Sequence, residues 1–107
     1  MRVSRACKKD ANQNDIVAAL IAIGCTVADT SMAGDGFPDL VVGIAGTNLL
    51  LEVKDEAQPP SKQRLTTDQQ LFHSQWKGPI YVVNSVDQAI RIVNRVRRVG
   101  RTITTAR

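Results

Sequence analysis

Three charged residues sit at the ends of two apolar runs and set the chemistry this chain can do. Asp39 follows Pro38 and opens the run Leu40-Val41-Val42-Gly43-Ile44. Glu52 and Lys54 close the run Asn48-Leu49-Leu50-Leu51-Glu52-Val53-Lys54. Side chains alternate faces along a strand, so Glu52 and Lys54 share a face. If the runs pair as a hairpin about Ala45-Gly46, Asp39 falls directly opposite Glu52. Directly opposed residues hold their Cβ atoms roughly 4.5–5.5 Å apart. Two carboxylates that close repel unless a cation lies between them. Mg²⁺ suits the place, because it takes oxygen ligands and retains several waters. Lys54 would then reach the outer edge of the same site, and the plan is that of metal-assisted hydrolysis. Singly, each residue has an ordinary reading: Asp after Pro is a common turn pair, and Glu-x-Lys at a strand end is often solvated. The conjunction carries more, since charges buried without a partner are costly.

These residues need elements to position them. Residues 1–10 read as a loose basic arm. Asp10 or Asn12 caps a helix that runs to about Ile23, with Ile16, Leu20 and Ile23 as its buried stripe and Gly24 as its stop. Cys25–Ala28 reads as a short strand, and residues 30–37 as a loop freed by Gly34 and Gly36. The hairpin follows. Residues 55–65 form a long polar connection in which Pro59-Pro60 excludes regular helix. Thr66 or Thr67 caps a helix to about Lys77 that carries Leu71, Phe72 and a core Trp76; Gly78-Pro79 ends it. Ile80–Val83 is a fourth strand, and Ser85 caps a last helix that Gly100 stops, leaving residues 101–107 frayed. The connection from third to fourth strand passes through a helix, which implies parallel orientation. The expected fold is α/β: a single domain over residues 1–107, with a four-stranded mixed sheet flanked by helices, an αβββαβ core plus a C-terminal helix.

Composition bounds the partners. The chain has 107 residues, 43% of them hydrophobic, with only four aromatic residues, so the core is mainly aliphatic. A net charge of +4 favours an anionic partner, and nucleic acid is the obvious one. Cys7 and Cys25 make neither a disulfide framework nor a metal-ligand spacing, as expected in a reducing compartment. Ile16–Ile23 is too short for a membrane span. The reading is a soluble cytoplasmic protein without a membrane partner.

At this point the residues match a known pattern. The chain resembles the PD-(D/E)xK nuclease superfamily, and within it the small phage- and bacteria-encoded nucleases related to the VRR-NUC and Holliday-junction-resolvase branches. The resemblance rests on Gly36-Phe37-Pro38-Asp39-Leu40-Val41-Val42-Gly43 and Leu50-Leu51-Glu52-Val53-Lys54-Asp55. Leu65-Thr66-Thr67-Asp68-Gln69-Gln70, His73, Trp76 and the helix start Asp10-Ala11-Asn12 support it. It implies a restriction-endonuclease-like fold and a Mg²⁺- or Mn²⁺-dependent DNA endonuclease. Asp39 and Glu52 would bind the metal, with the Val53 carbonyl as a further ligand. Lys54 would position the attacking water and meet charge on the phosphate, and Gln69 resembles the helix glutamine near the active site. In these nucleases the first helix often supplies a Glu; here Asn12-Gln13-Asn14-Asp15 stands instead. Asn12 and Asp15 are its candidate replacements.

Other residues invite weighing. Asp35, beside the loop glycines, is either an accessory to Asp39 or a turn residue. His73 reads as a helix-packing or surface histidine. Lys62 and Arg64, with Lys8 and Lys9 of the arm, are candidates for phosphate contact. Arg91, Arg95, Arg97, Arg98 and Arg101 make the last helix basic. No base-reading motif is visible, so the expected partner is DNA recognised by structure or backbone: branched, flapped or duplex. A homodimer would suit double-strand cutting. The alternative is a non-catalytic nucleic-acid-binding domain that retains the nuclease fold.

Overall fold

The structure is a computed structural model that describes residues 10–106, with side chains described over 10–99. Strands β1 (Thr26–Asp29), β2 (Leu40–Ile44), β3 (Thr47–Val53) and β4 (Ile80–Val83) form one sheet in that spatial order. The helices are α1 (Gln13–Ala22), α2 (Pro60–Gln63), α3 (Thr67–Gln75) and α4 (Val86–Ala106). β1–β2 and β2–β3 are antiparallel, and β3–β4 are parallel. A parallel pair needs a crossover, and the segment carrying α2 and α3 supplies it. The expected α/β domain with a mixed four-stranded sheet is the fold observed.

The hairpin register follows from its turn. Ala45 and Gly46 both take positive φ, 53° and 77°, as a two-residue turn matched to strand twist requires. Leu40 then lies opposite Leu51 and Ile44 opposite Thr47. One face of the sheet turns Leu40, Val42, Leu49, Leu51 and Val53 against Ile16 and Leu20 of α1 and Ala89 and Val93 of α4. The other face carries Leu50, Glu52 and Val82, and it remains partly open: Val82 is 37% exposed.

The loop between β1 and β2 is pinned at its end. Thr30 donates from N to Asp39 O at 2.8 Å and from Oγ1 to Pro38 O at 2.7 Å. Gly36, at φ 80°, brings the loop backbone against the start of α3, where a Cβ would lie 2.4 Å from Asp68 O.

Several sequence expectations need correction. Pro60 stands at the first position of α2, where its missing N–H costs nothing and its fixed φ suits a helix; the proline pair starts a short helix instead of excluding one. α4 continues through Gly100 to Ala106, since an interior glycine costs only about 1 kcal/mol relative to alanine. The first strand is Thr26–Asp29 rather than Cys25–Ala28. Cys25 is buried and unpaired. Trp76 is not core. It is 44% exposed and stacks on Phe72 at 5.3 Å, while Phe72 meets Phe37 edge-on at 5.1 Å. α3 has no buried residue and stands on the sheet's open face. No described helix is long and apolar enough to cross a membrane.

Candidate active site

The hairpin register brings Asp39 to the end of β3, where its Oδ2 accepts a hydrogen bond from Val53 N at 2.8 Å. Successive strand residues turn their backbone groups to opposite edges. Lys54 N points the other way, to Val83 O of β4 at 2.8 Å, so the Val53 carbonyl projects toward the Asp39 edge.

Glu52 and Lys54 lie on the sheet's open face and are nonetheless buried, at 2% and 8% exposure. Gln69 of α3 covers them. Its Nε2 donates to Glu52 Oε2 at 2.9 Å, and its Oε1 accepts from Lys54 Nζ at 3.0 Å. Lys54 Nζ stands 3.9 Å from Glu52 Oε2, an ion pair without a hydrogen bond. The helix start fixes this glutamine. Thr66 Oγ1 accepts from Gln69 N at 3.2 Å, and Gln69 Oε1 accepts from Thr66 N at 2.9 Å, a complete capping box. Gln69 thus ties the Glu52–Lys54 pair to the first turn of α3.

The electrostatics are dominated by Glu52. Burial pushes its carboxyl up to about 9, helped by the nearby Asp39 charge and opposed by Lys54. Its second oxygen, Oε1, is buried with no hydrogen-bond partner. A carboxyl that is dry, faces another carboxyl and has one orphaned oxygen suits a cation. Asp39 and Glu52 would hold it, with the Val53 carbonyl on the same side. Among the described residues no three His, Cys, Asp or Glu side chains form a ready-made metal cluster. Mg²⁺ does not need one, since it commonly binds through one or two carboxylates plus water and substrate phosphate.

The first helix contributes differently from expectation. Asn12 caps α1 by position, yet its side chain makes no cap bond. Its Nδ2 instead donates to Lys54 O and to Asn84 O, each at 3.1 Å, and ties the ends of β3 and β4 together. Asp15 is exposed on α1, and no described interaction brings it to Asp39 or Glu52. The carboxylate that does come near is Asp10. Burial raises its pKa; Lys54 lowers it, and Asp39 and Asp55 raise it further. Sequence reasoning saw Asp10 only as a helix cap. The clue to its position is Asn12, two residues later, whose clamp on the strand ends draws this segment over the site.

Asp35 is an exposed residue at positive φ, 56°, and it lines a surface cleft with Asp68, Leu71, Phe72 and Gln75; it is a turn residue. Lys62 and Arg64 are exposed at the end of α2. Lys8 and Lys9 lie outside the described residues. His73 turns out to be near the site: burial and the charge of Lys54 both lower its pKa.

No protein-family model, curated protein or solved structure matches the chain.

Proposed function

We propose that the protein is a metal-dependent endonuclease that hydrolyses DNA phosphodiester bonds. The observation that carries this reading is the buried Glu52 carboxyl beside Asp39, with an orphaned Glu52 oxygen and an ammonium fixed beside it by Gln69. A solvated strand edge gives no reason to bury a glutamate and a lysine together. The helix–strand order and the Asp39, Glu52-Val53-Lys54 arrangement support the resemblance to the PD-(D/E)xK nucleases. A divalent cation bound by Asp39 and Glu52 would polarise the phosphate and acidify water. Lys54 then provides a preorganised positive charge for the phosphate oxygens as negative charge builds on them, and such charge acts strongly in a site that excludes water. Gln69 prevents the ammonium from collapsing onto Glu52. Asp10 adds negative charge at the same end of the sheet. Exposed Lys62 and Arg64, close in sequence to Lys54, are suited to the phosphate backbone, which positions a duplex without reading its bases.

The test is cleavage of labelled linear, flapped, branched and single-stranded DNA with Mg²⁺, Mn²⁺, Ca²⁺ or EDTA. Cutting that needs Mg²⁺ or Mn²⁺ and vanishes in Asp39→Ala and Glu52→Ala is the expected result. Binding without cutting in every metal would favour a non-catalytic DNA-binding domain.

A further inference from the structure

α3 presents more than Gln69 to Lys54. His73 follows Gln69 by four residues, one helical turn, so the two side chains share a face of α3. Its Nε2 is buried and has no hydrogen-bond partner. An imidazole nitrogen buried alone forfeits the hydrogen bond it had in water. The candidate to satisfy it is Lys54, whose charge acts on the ring. Lys54 carries three N–H donors; Gln69 Oε1 takes one at 3.0 Å, and Glu52 Oε2, at 3.9 Å, is too far to take another. Burial and the ammonium together keep the ring neutral. A neutral ring has one bare nitrogen and one N–H. An N–H directed at an ammonium is repelled, so the bare nitrogen belongs on the Lys54 side. Gln69 and His73 then form a two-point holder on one helix face, with Lys54 between them.

We propose that His73 is a positioning residue, which steers the Lys54 ammonium toward the reacting phosphate through the Nε2 lone pair of its Nδ1–H tautomer. The proposal rests on the nuclease reading for its catalytic consequence, but not for the pairing of His73 with Lys54. Nε2 is closed to solvent, which suits an acceptor for the lysine and not a base for bulk water.

The pairing is tested without any turnover. His73 is the only histidine, so ¹⁵N-detected imidazole spectra report on it alone. The expected spectrum shows a protonated Nδ1 and a bare Nε2, with the Nε2 resonance shifting in Lys54→Met. An Nε2–H tautomer, or an Nε2 resonance indifferent to Lys54→Met, overturns the proposal. The consequence is tested by single-turnover cleavage at saturating Mg²⁺. His73→Phe keeps the ring volume and removes the acceptor; it should slow cleavage roughly 10–100-fold, as losses of supporting groups around metal sites do. Mg²⁺ affinity and thermal midpoint should stay near wild type. His73→Gln, with an amide oxygen at similar reach, should recover most of the rate. Equal rates for wild type and His73→Phe overturn the positioning role. If the wild-type protein cuts no DNA, the nuclease reading falls and the imidazole spectrum alone decides whether His73 holds Lys54.

Discussion

Lys54 Nζ donates to Gln69 Oε1 at 3.0 Å, and that same oxygen closes the capping box of α3. The lysine at the end of β3 is therefore held by the group that starts the helix above it. Gln69→Ala should expose the coupling. It leaves the buried Glu52 Oε2 without its donor and opens the cap. We expect a loss of about 1–3 kcal/mol in urea unfolding and a fall in saturated cleavage of roughly 10–100-fold. Gln69→Glu keeps the capping box, because Glu serves equally at that position, but sets another carboxylate beside Glu52. Its metal-free form should melt lower than wild type in alkaline buffer, with a larger gain in melting temperature on adding Mg²⁺.

Glu52 makes metal-free stability depend on pH in a stated direction. Its folded pKa, about 9, lies above the ordinary value of 4.5, so the folded state holds a proton that the unfolded state has released. The contribution is full below about pH 4.5 and is lost as pH rises toward 9. A cation needs the charged form, so Mg²⁺ uptake at neutral pH should release close to one proton. Calorimetry in buffers of different ionisation heat measures this. Release of no proton would show that Glu52 is already ionised or is not a ligand. Glu52→Gln, which does not titrate, should unfold like wild type below about pH 4.5, increasingly later than wild type as pH rises from there to about 9, and be inactive throughout.

Gly36 controls how α3 is seated over the sheet. At φ 80°, an added Cβ would meet Asp68 O at 2.4 Å and the Gln69 N at 3.0 Å. Gly34 has a similar φ, 77°, with open space around it. Gly34→Ala should therefore cost only the left-handed strain, about 1–2 kcal/mol, and leave cleavage intact. Gly36→Ala carries that strain plus displacement of the helix start, so it should melt lower and lose activity through Gln69. Comparing melting temperature and saturated rate for the two variants isolates the seating of α3 from backbone strain.

These relationships were legible in the sequence to different depths. The Leu40–Ile44 and Asn48–Lys54 alternation, with the Ala45-Gly46 turn, determines the register that brings Asp39 to Val53. Gln69 was expected near the site only from the resemblance; the Thr66-x-x-Gln69 capping box that holds it there is a local pattern the sequence also carries. Asp10 could not be placed, because its approach depends on Asn12 binding two carbonyls from distant strands. Nothing local in Asp10-Ala11-Asn12 distinguishes that from a helix cap. Trp76 misled for a related reason: an apolar side chain suggests the core, but α3 lies over the sheet face that the core does not use. His73 was read as peripheral because its burial comes from the seating of α3, which local sequence does not encode.

Lys54 and the Lys62–Arg64 pair separate catalysis from binding. Lys54 is buried beside Glu52 and held by Gln69, whereas Lys62 and Arg64 are exposed. Lys54→Ala removes a preorganised charge from the site. By comparison with loss of a single transition-state donor, saturated single-turnover cleavage should fall about 10²–10³-fold. Mg²⁺ binding should survive, because the oxygen ligands remain. DNA affinity should change little in its salt dependence, since a buried ammonium already paired within the protein releases few counterions. The double variant Lys62→Ala, Arg64→Ala should behave oppositely. If both residues contact phosphates, the slope of log affinity against log salt should flatten by nearly two, while the rate at saturating enzyme stays at the wild-type value. An unchanged saturated rate in Lys54→Ala would remove the lysine from the catalytic set. An unchanged salt slope in the double variant would move the DNA path away from the end of α2.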